Sequence, residues 1–139
     1  MLDCLILGDS IAQGIAAQRH ECVAVVERGV TSQQFKYETI NNAQFTHEHF
    51  KTVIISLGTN DTRLIHTFTY LELLRDQIKA DGVLWMLPQT KFQDARNAVL
   101  MVADQFHDGI IEIPIRDLGH DKIHPTASGY KTLAEQTKK

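Results

Sequence analysis

Five short apolar runs set what this chain can fold into. They cover residues 2–7, 22–26, 53–57, 83–87 and 110–113, and each is closed by a glycine or a proline: Gly8, Gly29, Gly58, Pro88 and Pro114. The runs are nearly continuous rather than alternating, as expected of strands covered on both faces. Between them lie longer stretches with apolar residues at helical spacing. Leu64, Phe68, Leu71, Leu74 and Ile78 form one such stripe, and Phe92, Ala95, Val99, Val102 and Phe106 another. These predict helices over 63–79 and 91–107, with others over 10–19, 34–41 and 126–138. Gly14 weakens the first of them, and Pro125 suits the first turn of the last. Strands alternating with helices imply βαβ units, right-handed crossovers and a parallel sheet. The expected fold is α/β, a three-layer α/β/α sandwich on a five-stranded parallel sheet. The pattern leaves the strand order open.

The length, 139 residues, fits one domain over 1–139. A chain of this size buries roughly two-thirds of its unfolded surface, so it can form a core without a metal or a disulfide. Its net charge of −3 gives no support for a nucleic-acid or membrane-surface partner. No apolar run is long enough to span a bilayer, and Met1-Leu2-Asp3-Cys4 does not open like a signal peptide. Cys4 and Cys22 both fall in apolar runs and read as small buried hydrophobes rather than as a disulfide. These features favour a cytoplasmic protein.

In a parallel sheet the carboxyl ends of all strands share one edge, where open α/β folds bind ligands. The first run ends in Gly8-Asp9-Ser10-Ile11, which places Ser10 at a turn into a helix N-terminus, a setting that favours developing negative charge. The second ends at Gly29 and the third in Gly58-Thr59-Asn60-Asp61. The loop after the fifth carries Asp121-Lys122-Ile123-His124-Pro125. Acyl transfer needs a nucleophile, a base, a group to orient the base, and donors for an oxyanion. Ser10 suits the first role, His124 the second and Asp121 the third. The backbone N–H groups of Ser10 and Gly29 and the amide of Asn60 suit the last. Singly, each has a plain alternative: a helix cap at Ser10, a turn at Gly29, a cap at Asn60-Asp61 for the helix near Arg63, and a solvated pair at Asp121 and His124.

With these four blocks in this order, spanning nearly the whole chain, the sequence resembles the SGNH hydrolases, also called the GDSL esterase/lipase family. Gly-Thr-Asn-Asp and Asp-x-x-His-Pro are the specific blocks; the glycine block is weak alone. The resemblance implies a flavodoxin-like fold with strand order 2-1-3-4-5. It also implies a metal-free serine hydrolase without a cofactor, with Ser10, Gly29, Asn60 and His124 in the roles above. The chain is short for the family, which implies an open, shallow site with no lid. It carries Glu27-Arg28 before Gly29, where the family often has an asparagine.

Three other readings compete. A metal site at His47-x-His49, or at His120 with His124, lacks clustered cysteines or a clear third ligand. Acyl transfer to an alcohol uses the same triad. A binding or structural module keeps the fold without the activity, although all five residues expected in the site are present. Ile11, Thr31, Ser32, Thr62, Arg63, Gln89 and Ile123 are expected near the site, and of these Ile11, Thr31, Thr62, Arg63 and Ile123 are the candidate substrate contacts. Arg63 could pair with an anionic group on the substrate. No aromatic-rich groove or long apolar lid suggests a long-chain lipase. The expected reaction is hydrolysis of short acyl esters of a small molecule or a carbohydrate, acetyl groups on a sugar among them.

Overall fold

A computed structural model of the chain describes residues 2–42, 48–62 and 65–138. Its five strands are β1 (Leu2–Gly8), β2 (Val23–Val26), β3 (His49–Ser56), β4 (Lys79–Met86) and β5 (Gly109–Ile111). They form one parallel sheet in the order β2-β1-β3-β4-β5, the order the resemblance implied. The helices are α1 (Ser10–Ala16), α2 (Ser32–Gln34), α3 (Thr67–Gln77), α4 (Gln93–Phe106) and α5 (Ala127–Gln136). A π turn at Phe35–Thr39 and a 3₁₀ turn at Ile40–Asn42 prolong α2.

The strands alternate sides with a period of two, so the apolar runs feed two cores. Leu5, Leu7, Val53, Ile55, Val83 and Trp85 face Phe35, Ile40, Leu71, Leu74, Val99 and Val102 in one buried cluster. Ile6, Ile54 and Met86 face Ile11, Ala12, Ile15 and Leu133 in the other. Helices α3 and α4 thus cover one face of the sheet, and α1 and α5 the other. This two-sided burial is why the runs lack polar alternation. Gly14 marks the crossing of α1 and α5: a Cβ there would lie 2.2 Å from Cε1 of Tyr130.

The elements differ from the sequence reading in places. Helix α1 stops at Ala16 instead of residue 19. Helix α3 begins at Thr67, after His66, which makes no side-chain cap; Arg63 and Leu64, placed at its start by the sequence, lie outside the described residues. Strand β4 begins at Lys79, which the sequence reading placed as the last residue of the preceding helix, four residues before the expected strand start at Val83. Its polar start is recruited by pairing: His49 lies beside Lys79 and Thr52 beside Gly82.

The reading of the cysteines is corrected. Cys4 and Cys22 form a disulfide, with Cα atoms 4.8 Å apart, within the range such bridges need. The cause is register. Leu5 pairs with Val23, so the residue before each, Cys4 and Cys22, sit side by side. Disulfides persist in oxidising compartments, so the cysteines no longer argue for a cytoplasmic chain. No described helix is long and apolar enough to cross a membrane.

Candidate active site

The sheet order reverses between β1 and β3, and ligands bind at the carboxyl ends of strands flanking such a point. The turn leaving β1 is fixed there by contact with β3. Gly8 has φ of +136°, and a Cβ on it would lie 1.9 Å from the Ser56 carbonyl oxygen, so only glycine fits. The Asp9 N–H donates to that same carbonyl at 3.0 Å. Asp9, 1% exposed, then caps α1: its Oδ1 accepts from the N–H groups of Ile11 and Ala12 and from Ser56 Oγ. Burial pushes its carboxyl up to about 6, against the lowering effect of those hydrogen bonds. Ser10 follows as the first residue of α1.

The loop before α5 brings the imidazole to that serine. A 3₁₀ turn at Ile115–Asp117 leads into a closed loop in which Gly119 N–H donates to the His124 carbonyl at 2.8 Å, and Leu118 bridges Pro125. Lys122 adopts φ of +59° at its tip. Asp121 Oδ1 accepts from the N–H groups of Ile123 and His124 at 2.8 and 2.9 Å, and its Oδ2 lies 2.6 Å from His124 Nδ1. His124 Nε2 in turn lies 2.7 Å from Ser10 Oγ. An ionised carboxylate can only accept, so the proton on the ring is assigned to Nδ1 and Nε2 is left to accept from the serine hydroxyl. The hydrogen bond from the His124 ring, and then the two backbone N–H groups, hold the Asp121 carboxyl well below the usual carboxylate range. Tyr130 stands near both acids; burial first, and then the charges of Asp9 and Asp121, push its hydroxyl up to about 12.

The loops after β2 and β3 leave the two strands that flank β1. Gly29 has φ of +75° and open space where a Cβ would be, so backbone conformation and not crowding calls for glycine. Among the described residues, no hydrogen bond takes up the Ser10 or the Gly29 N–H. Asn60 Nδ2 donates to the Val30 carbonyl at 3.1 Å, and the amide keeps a second N–H to donate. The structure therefore gathers Ser10, Asp121 and His124 into one relay and ties Asn60 to the Gly29 loop. A hydroxyl so paired with a neutral imidazole can lose its proton as it attacks a carbonyl carbon.

The other expected site residues fare differently. Ile11 is 3% exposed and packs in the core under α1, because the first turn of the helix directs it inward; it has no surface for a substrate. Thr31 caps α2 in a capping box with Gln34. Thr62 is exposed, and Ile123 and Gln89 are half-buried. Arg63 lies outside the described residues. Asp61 does not cap α3; it accepts from the Thr67 hydroxyl at 2.7 Å and from Ser32. A cleft of about 380 Å³ adjoins the Asn60 loop, lined by Asp61, Thr62 and residues from Lys91 to Ala95 at the start of α4. None of Ser10, Gly29, Asn60, Asp121 and His124 lines this cleft.

Of the histidines considered as metal ligands, His47 lies outside the described residues, and His49 Nε2 is 2.7 Å from Asp81 Oδ1. Among the described residues the one cluster of three possible ligands is Cys4, Glu21 and Cys22, and its two sulfurs are bonded to each other.

At the level of sequence, neither a family model nor a curated protein matches the chain. Solved structures do match it in shape. A GDSL-like lipase from Bacteroides thetaiotaomicron VPI-5482 superposes with a TM-score of 0.65 at 18% identity, covering 99% of this chain and 86% of the other. Est24, a carbohydrate acetylesterase from Sinorhizobium meliloti, gives 0.62 at 16% identity over 99% of both chains. The M. smegmatis aryl esterase gives 0.62 at 16% identity, also over 99% of both. The protein has the flavodoxin-like fold of the GDSL-type, or SGNH, hydrolases.

Proposed function

We propose that this protein is an SGNH-type serine hydrolase that cleaves short-chain acyl esters. The observation that carries this reading is the hydrogen-bonded chain from Ser10 Oγ through His124 to Asp121, at 2.7 and 2.6 Å. In the proposed reaction Ser10 Oγ attacks the ester carbonyl while His124 Nε2 takes its proton. The carbonyl oxygen gains negative charge and is met by the N–H groups of Ser10 and Gly29 and by the Asn60 amide. Collapse expels the alcohol, which takes the proton back from His124, and leaves an acyl-enzyme on Ser10. Water, activated by the same imidazole, then releases the acid. Asp121 holds the ring in the required tautomer and stabilises the imidazolium throughout. Each oxyanion donor is worth about 3–4 kcal/mol in such a site.

The exposed Thr62 beside the Asn60 loop offers a hydroxyl to a polar alcohol portion. Together with the likeness to a carbohydrate acetylesterase, it favours acetyl esters of carbohydrates. Acyl transfer is the second reading: the side chains of His124 and Asp121 are 42% and 50% exposed, so an acceptor alcohol has access to the acyl-enzyme, in competition with water. An inactive module would have no use for the relay. A cytoplasmic placement would require Cys4 and Cys22 to be reduced in the cell, which thiol trapping in fresh lysate reads directly.

The test is hydrolysis of p-nitrophenyl acetate by the parent and by Ser10→Ala, side by side, with longer acyl esters and added alcohols as further arms. The parent is expected to exceed the variant at least 10³-fold in kcat and to favour acetate. Equal rates for the two on every ester would refute the hydrolase reading. A transesterified product in place of acid would establish the transfer reading.

A further inference from the structure

The loops after β2 and β3 each carry a proposed oxyanion donor, Gly29 and Asn60; the first is tied to the sheet only at its start, where Glu27 N–H donates to the Gly8 carbonyl at 2.9 Å, two residues before Gly29. Something must fix their spacing. Asn60 supplies one tie itself, through Nδ2 to the Val30 carbonyl. The rest converge on its neighbour Asp61. Asp61 Oδ1 accepts from Ser32 N–H at 2.8 Å, and Oδ2 accepts from Ser32 Oγ at 2.5 Å and from Thr67 Oγ1 at 2.7 Å. Ser32 is 1% exposed and Thr67 8%, so the donors come from buried residues, where an orphaned donor is costly, while Asp61 itself is half-buried. One carboxylate thus joins the glycine loop, the asparagine loop and the first residue of α3.

Both ends of this clamp are themselves stiff. Thr31 Oγ1 accepts from Gln34 N–H while Gln34 Oε1 accepts from Thr31 N–H, which sets the direction of the Ser32 N–H. Asp61 N–H closes a turn onto the Gly58 carbonyl at 3.0 Å, and Gly58 holds φ of +109°. Asn60 lies inside that turn.

We propose that Asp61 is the positioning residue of the oxyanion site: through Ser32 and Thr67 it sets the distance between the Gly29 N–H and the Asn60 amide. It touches no substrate atom. This inference rests on the hydrolase reading and adds to it the element that preorganises the donors, which is where the catalytic value of such donors lies.

The experiment is a double-mutant cycle on p-nitrophenyl acetate hydrolysis, with Asp61→Ala, Asn60→Ala and the pair. It is accompanied by inhibition with an alkylboronic acid, whose tetrahedral adduct on a serine mimics the charged intermediate. Asp61→Ala is expected to lower kcat 10- to 100-fold, to leave KM within about twofold, and to weaken boronate inhibition by the same factor as kcat. In the Asn60→Ala background the same change should cost less than about threefold, because the donor it positions is gone. Equal losses in the two backgrounds, or a loss confined to KM, would overturn the proposal. If Asp61→Ala does not fold, Ser32→Ala, which keeps the backbone bond to Asp61, takes its place in the cycle, with an expected three- to tenfold loss in kcat that again vanishes beside Asn60→Ala. Ser10→Ala run in parallel separates the two ideas. Unchanged activity in Ser10→Ala defeats the hydrolase reading, whereas additive losses at Asp61 and Asn60 with an inactive Ser10→Ala defeat only the clamp.

Discussion

Replacing Asp9 by asparagine should change how stability depends on pH. Asp9 is 1% exposed, its Oδ1 takes three hydrogen bonds, and its Oδ2 has no partner. Burial dominates and raises the carboxyl from 3.8 to about 6. The fold therefore favours the protonated acid. Below about pH 4 both states carry the proton and the site costs nothing. Between about 4 and 6 the unfolded chain ionises first, so stability falls as pH rises. Above 6 the full cost is present, about 2 pH units at 1.36 kcal/mol each, or roughly 3 kcal/mol. Asparagine keeps the Oδ1 acceptor and carries no charge, while its orphaned Nδ2 adds a penalty of about 1–3 kcal/mol that does not vary with pH. Between pH 4 and pH 8 the stability of Asp9→Asn relative to the parent should thus move by about 3 kcal/mol in the variant's favour, whatever the fixed offset. Urea unfolding followed by the fluorescence of Trp85 reads this directly, since it is the only tryptophan and is fully buried. A stability difference that stays constant from pH 4 to pH 8 would refute the assignment of a perturbed acid at the turn before Ser10.

Other expectations follow from the same geometry. Cys22→Ser opens a bridge of sequence separation 18, which should cost about 3 kcal/mol and lower the melting temperature by roughly 10 °C in calorimetry; an unchanged melting temperature would mean that the thiols are unpaired in solution. Asp121→Asn should leave the fold intact and lower kcat on p-nitrophenyl acetate by roughly 10²-fold or more, since the ring tautomer is no longer fixed. Gly8→Ala should fail to give soluble protein, because its Cβ meets the Ser56 carbonyl, while Gly29→Ala, with free space at Cβ, should fold at a cost of about 1–2 kcal/mol from its positive φ. Equal soluble yields of these two variants would contradict that distinction.

The sequence carried the layers of this fold because the layers are a matter of apolar pattern. Residues 53–57 cannot face water on either side, and the stripe from Phe68 to Ile78 can face only one way. Strand order, by contrast, is a long-range choice, and it entered through the resemblance and not the pattern. Register is also long-range, which is why the Cys4–Cys22 bridge was missed: two cysteines in separate strands look like small hydrophobes until Leu5 is known to lie beside Val23. The relay residues were legible because Ser10 follows a strand end, and Asp121 and His124 are of reactive types in the loop that leads from the last strand to the last helix. Residues that only support them were not. Ser32 and Thr67 are ordinary hydroxyls until Asp61 is seen between them, and Ile11, beside Ser10 in sequence, turns into the core because a helix rotates successive side chains by about 100°.

The central claim is that His124 activates Ser10 for attack. Labelling with a fluorophosphonate, followed by peptide mapping in the mass spectrometer, tests it without knowledge of the natural substrate. One adduct is expected, on Ser10, that disappears in Ser10→Ala and falls at least 10²-fold in rate in His124→Ala. An unlabelled Ser10 in folded parent protein, or labelling of Ser10 that is as fast in His124→Ala, would contradict it.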